Sequence, residues 1–96
     1  MKPTLKHTIR LVLSHIGRSD PRVTWGTFPS GHDCGPWAWV CSTSGNDTTV
    51  GTAPTELEAL AYIYTLMLVG GFVDPRNEAM VEAAERAEQA QEHDPT

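Results

Sequence analysis

The side chains of this chain that come nearest to a metal or nucleophile cluster are His32, Asp33 and Cys34, with Cys41 further on. His32, Cys34 and Cys41 would supply three ligands, and a structural zinc site takes four. A fourth would have to come from His7, His15 or His93, each distant in sequence. A zinc deaminase has a Glu after its His and a C-x-x-C pair, and both are missing here. In Cys34-Gly35-Pro36-Trp37, tryptophan stands where a redox motif has its second cysteine. Cys41 therefore reads as a small core residue on a strand and Cys34 as a loop residue, both reduced, with no metal and no cofactor. Phosphate-loop, dinucleotide, nucleophile-elbow and zincin patterns are absent as well. The expectation is a protein that is not an enzyme.

A second set of charged residues is ordered by helical period. At about 100° per residue, Glu78, Glu82, Glu85 and Glu92 fall in a sector of about 80°, with Glu88 beside it. Arg86 follows Glu82 by four residues and offers one favourable pair. Like charges four apart cost a few tenths of a kcal/mol each, so helix stability alone does not account for the stripe. Acids do proton chemistry only in a pocket that shifts their pKa, and this stripe has no apolar flank. Its competing readings are a solvated face and a docking surface for a basic partner. Ala79, Ala83, Ala87 and Ala90, with Met80, form the other side, a face small and smooth enough to pack closely against another helix or a partner.

The elements that must position these residues are legible in order. Leu5, Ile9, Val12, Leu13 and Ile16 make one apolar stripe, predicting a helix over 4–17 with Gly17 as its stop. Strands are expected near 22–28, 36–43 and 47–51. Trp37, Trp39 and Cys41 alternate with Ala38, Val40 and Ser42, the period of a half-buried strand. Ser44-Gly45-Asn46-Asp47 supplies the turn of a hairpin. Pro54 and the capping box Thr55-Glu56-Leu57-Glu58 start a helix over 55–69. Gly70-Gly71 ends it, and Asp74-Pro75 begins another over 75–92. Trp37 and Trp39 share a sheet face, either covered by helices or open as a binding platform.

These elements predict an α+β fold: a small two-layer sandwich, with a three-stranded antiparallel sheet and about three helices. The stripes of the first two helices are expected to cover one sheet face. The expected core is Leu5, Ile9, Val12, Ile16, Trp39, Leu57, Leu60, Ala61, Tyr64 and Leu68. Ninety-six residues are read as one domain, 1–96, with a frayed tail over 92–96. The helix from Leu57 to Val69 is apolar on nearly all sides, as a central core helix or part of a dimer interface would be. Its near-continuous apolar run is 13 residues, short of the roughly 20 that a membrane span needs. With no signal-peptide pattern, the expected location is the cytoplasm, as monomer or homodimer.

Charge is unevenly spread. Residues 1–22 carry a net +4 and residues 23–96 a net −9, for −5 in all. A nucleic-acid binder concentrates positive charge at its reading surface, so direct nucleic-acid binding is not expected. A protein partner with a basic surface fits this balance. The candidate contact residues are Glu78, Glu82, Glu85 and Glu88, with Trp37 and Asp33.

Gly51-Thr52-Ala53-Pro54-Thr55-Glu56-Leu57-Glu58-Ala59-Leu60-Ala61 follows a Trp-containing hairpin and precedes an acid- and alanine-rich helix. This pattern resembles small phage-encoded anti-CRISPR proteins that act on type I surveillance complexes. The resemblance covers the C-terminal 60% of the chain. It implies a non-enzymatic inhibitor, working in the bacterial host cytoplasm, whose acidic side chains meet the cations that guide DNA. The basic N-terminal helix and the Pro29–Pro36 loop lie outside it. The alternative is a small regulatory, antitoxin-like protein associated with nucleic acid, with the N-terminal helix on phosphates.

Overall fold

In the computed structural model, residues 4–31, 35–43 and 48–92 are described, the side chains of Gln91 and Glu92 excepted. The His32-Asp33-Cys34 cluster, the Ser44–Asp47 turn and the tail beyond Glu92 lie outside the described residues.

Thr4 opens the first helix, its hydroxyl accepting the His7 amide hydrogen at 3.1 Å. This helix, α1, spans Leu5–Ser19 and runs two residues past the expected stop. Gly17 keeps a helical backbone, and the helix closes where the Asp20 amide donates to the Ile16 carbonyl at 2.9 Å. Strands β1 (Thr24–Pro29), β2 (Trp37–Ser42) and β3 (Thr48–Ala53) form one antiparallel sheet in the order β1-β2-β3. Trp39 stands opposite Thr27 on one side and Gly51 on the other. β3 runs two residues beyond the expected end, because its pairing continues until Ala53 meets Trp37.

Helix α2 spans Glu56–Val69, and the Thr55 hydroxyl accepts the Glu58 amide hydrogen at 3.1 Å. The reciprocal half of the capping box is not formed. At the other end the Phe72 amide donates to the Met67 carbonyl at 2.9 Å, a reversal that puts Gly71 at φ +83°. Only glycine holds that conformation without strain. Asp74 then caps α3, Pro75–Glu92, accepting the Asn77 amide hydrogen at 2.8 Å.

α2 lies across all three strands, most closely on β2. α1 lies beside α2 and touches the sheet only at β1, which corrects the expectation that both helices cover it. The junction is made by Trp25, whose indole N–H donates to the Leu13 carbonyl at 3.1 Å. α3 packs on α1 alone, antiparallel to it. The result is a sheet layer and a helix layer, 21 Å through the thinnest direction.

Leu13, Leu60, Ile63, Met67 and Val12 are fully enclosed in the core, as is Val81 where α3 meets α1. Burying each such side chain is worth roughly 1.5–3 kcal/mol relative to exposure. Of the expected core, Ile9, Val12, Ile16, Trp39, Leu60 and Tyr64 are buried, and Leu5 and Leu57 pack against it half-covered. Ala61 is half-covered and Leu68 is exposed, because α2 turns Ala59, Ile63 and Met67 inward instead. Trp39 lies over Gly51, where a Cβ would stand 2.7 Å from the indole. Tyr62 stacks on the same ring at 5.7 Å between centroids. Packing fixes this ring at the expense of its polar atom: Trp39 Nε1 is buried without a hydrogen-bond partner among the described residues.

Candidate functional site

The face of α3 that packs is not the alanine face. Val81 and Ala84 are buried and Ala87 half-covered, whereas Ala79, Met80, Ala83 and Ala90 are exposed. A valine fills the space over α1 better than a row of methyl groups, so the helix is rotated to bury Val81. That rotation sets the acidic side chains. Glu82 and Glu85 are exposed and Glu78 half-covered, and no ion pair among the described residues engages any of the three. The Glu82–Arg86 pair that spacing allows is not made.

Their charge bears on Tyr64 of α2. Burial pushes the Tyr64 phenol above its usual pKa, and the carboxylates of Glu78, Glu85 and Glu82 push it further. By helical spacing the three acids form one negative ridge along α3.

Glu88 stands apart. Its carboxylate accepts the Leu5 amide hydrogen at 2.9 Å, at the first turn of α1. An acid there satisfies an orphan donor and meets the positive end of the helix. Sequence spacing put Glu88 with the docking acids, but its described contact holds α3 to α1. Trp37, another candidate contact, is half-covered and packed against the core on the helix side of the sheet. Asp33 lies outside the described residues, as does the side chain of Glu92.

Three cations of the basic stretch are held in ion pairs by two acids. Glu56 takes Arg10 in a close hydrogen-bonded ion pair and has Lys6 at 4.0 Å. Arg22 donates to both Asp20 oxygens, at 3.0 and 2.8 Å, and lies over the Phe72 ring at 5.6 Å. The Arg22 bonds hold the Asp20 carboxyl down at about 2. No signal in the sequence marked Glu56 for this work, since its cations lie 46 and 50 residues upstream.

No protein-family model, curated protein or solved structure matches this chain. Its surfaces must be read on their own chemistry. Beside Asp20 and Arg22, a cleft of about 500 Å³ runs between the end of α1 and the α2–α3 turn, with His15, Asp74 and Asn77 on its walls. Its charges are paired or used for capping. Cys41 is a free, buried thiol whose pKa burial raises, which disfavours the reactive thiolate. Among the described residues no group of three or more His, Cys, Asp or Glu could hold a metal ion, and no helix is long and apolar enough to cross a membrane.

The sheet face away from the helices was not singled out in the sequence. It carries Thr24, Gly26 and Phe28 on β1, Ala38, Val40 and Ser42 on β2, and Thr48, Val50 and Thr52 on β3. There is no charge among these nine. The signal was available in the alternation that put the tryptophans and Cys41 on the opposite side.

Proposed function

We propose that this protein is a non-enzymatic inhibitor that docks its α3 ridge on a basic protein surface. The observation that carries the reading is the ridge itself: Glu78, Glu82 and Glu85 stand together with no ion pair among the described residues, although Lys6 and Arg10 share Glu56 and Arg22 meets Asp20. A carboxylate in water adds almost nothing to folding, whereas one desolvated against Arg or Lys couples by about 1.5 kcal/mol or more. The partner class comes from the resemblance over residues 51–61 to anti-CRISPR proteins: a type I surveillance complex, whose DNA-guiding cations the ridge would occupy. The nucleic-acid alternative draws less support, because ion pairs take up most of the described cations of α1 and its turn.

The test is a charge reversal. Changing Glu78, Glu82 and Glu85 together to Lys should leave the melting temperature within a few degrees. Binding to a purified type I complex should weaken at least about a hundredfold, with a steeper loss at low salt. Undiminished inhibition by the triple variant would reduce the ridge to a solvated helix face.

A further inference from the structure

The two edges of the sheet are built differently. β1 ends in Pro29 and is tied to α1 through Trp25. β3 pairs with β2 only, and its outer edge meets no other strand among the described residues. The usual protections of a free edge are a charge, a proline or a bulge. Thr48-Thr49-Val50-Gly51-Thr52-Ala53 has no charge and no proline, and its register with β2 is unbroken over all six residues. Val50 is 69% exposed at its centre.

Above this edge runs a second uncharged strip. Tyr62, Thr65 and Val69 share one side of α2, and Tyr62 stacks on Trp39, whose ring lies over Gly51 of β3. Tyr62 and Val69 are exposed, with only Glu58 at the near end bearing charge. α1 covers the opposite side of α2.

We propose that two copies of this chain pair through β3, antiparallel about a two-fold axis at Val50, to make one six-stranded sheet. The outward row of backbone donors and acceptors calls for a strand, and three features favour the chain's own β3. A register centred on Val50 sets Thr48 against Thr52 and Val50 against Val50, matching β-branched side chains on the same face. The same register keeps both α2 helices on one side of the sheet. Their axes would lie three strand spacings apart, about 14 Å. That is wider than direct helix packing at 8–10 Å, and a Tyr62 from each copy is long enough to fill the gap. Finally, a chain of net −5 repels its own copy at most approaches, and the β3 edge with the α2 strip brings almost no charge to the contact.

Sedimentation of the wild-type chain at about 100 µM should give a dimer, within the range of a micromolar constant. Val50→Lys sets two cations side by side at the axis. It should raise the dissociation constant at least about a hundredfold while leaving the circular dichroism of the monomer unchanged. Val50→Thr should remain a dimer. Hydrogen exchange at the β3 amides should slow as wild-type concentration rises. A wild type that stays monomeric, or a Val50→Lys variant that dimerises as before, overturns the proposal. So does a monomer whose β3 amides become protected only on adding another protein. None of these outcomes depends on the α3 ridge, so the dimer and the proposed inhibition fail separately.

Discussion

α1 and α3 lie antiparallel against each other, yet the chain treats their charges in opposite ways. The cations of α1 meet a carboxylate brought from α2, since Glu56 holds Arg10 and approaches Lys6. Of the acids of α3, one helix away, Glu88 closes the start of α1, while Glu78, Glu82 and Glu85 make no ion pair among the described residues. Ion pairs hold Lys6, Arg10 and Arg22 to the fold, whereas these three acids follow one another along one helix. Net charge alone would not distinguish these two groups. The pairing pattern does.

The most damaging way to break the contrast is to detach α3 from α1. Val81 is fully buried at their contact. Val81→Ala should cost about 2 kcal/mol from two lost methyl groups and the cavity left behind, read by denaturant unfolding. Ala83→Leu, on the exposed side, should change stability by less than about 0.5 kcal/mol. Equal effects at the two positions would restore the alanine face as the packing face.

Removing Glu56 tests the neutralised side. Glu56→Ala leaves Lys6 and Arg10 unpaired, at an expected cost of about 0.5–1 kcal/mol because both cations are half exposed. The same variant should bind duplex DNA more tightly than the wild type at low salt, since α1 would then present free cations. Unchanged DNA binding would show that pairing by Glu56 is not what keeps α1 off phosphates.

The smallest effect is spectroscopic. Changing Glu82 and Glu85 to Gln should move the Tyr64 phenol pKa down, toward its ordinary value, in an ultraviolet titration. The sign follows from a folded pKa raised above about 10. The neutral phenol supports the fold fully below that pH, and its support fades as pH rises through the folded value. Removing two carboxylates narrows the gap between folded and unfolded pKa. No movement would place the ridge away from Tyr64.

Much of this architecture was legible because it rests on local chemistry. Thr55, Gly70-Gly71 and Asp74 mark helix ends through bonds to neighbours three to five residues away, and alternation around Trp39 sets the sheet faces. What stayed hidden depended on distant partners. The rotation of α3 is chosen by the shape of α1, so a row of alanines looked apolar while Val81 was what the space required. Leu68 failed as a core residue for a similar reason, because a helix apolar all round does not say which side meets the sheet. In the candidate site, helical period alone found the Glu78–Glu82–Glu85 ridge. It could not separate Glu88 from that ridge, since the amide that Glu88 binds lies 83 residues earlier.

That last bond has a consequence for how the molecule is made. α1 leaves the ribosome before α2 and α3, a helix of 15 residues, near the length at which isolated helices are marginal in water. Its buried stripe rests on α2 and α3, and the acceptor for its first amide is on α3. At about 5–20 residues per second, some 70 further residues take roughly 4–14 seconds to appear. For that interval α1 is an amphipathic segment without its partners, and the native fold can form only once α3 has arrived.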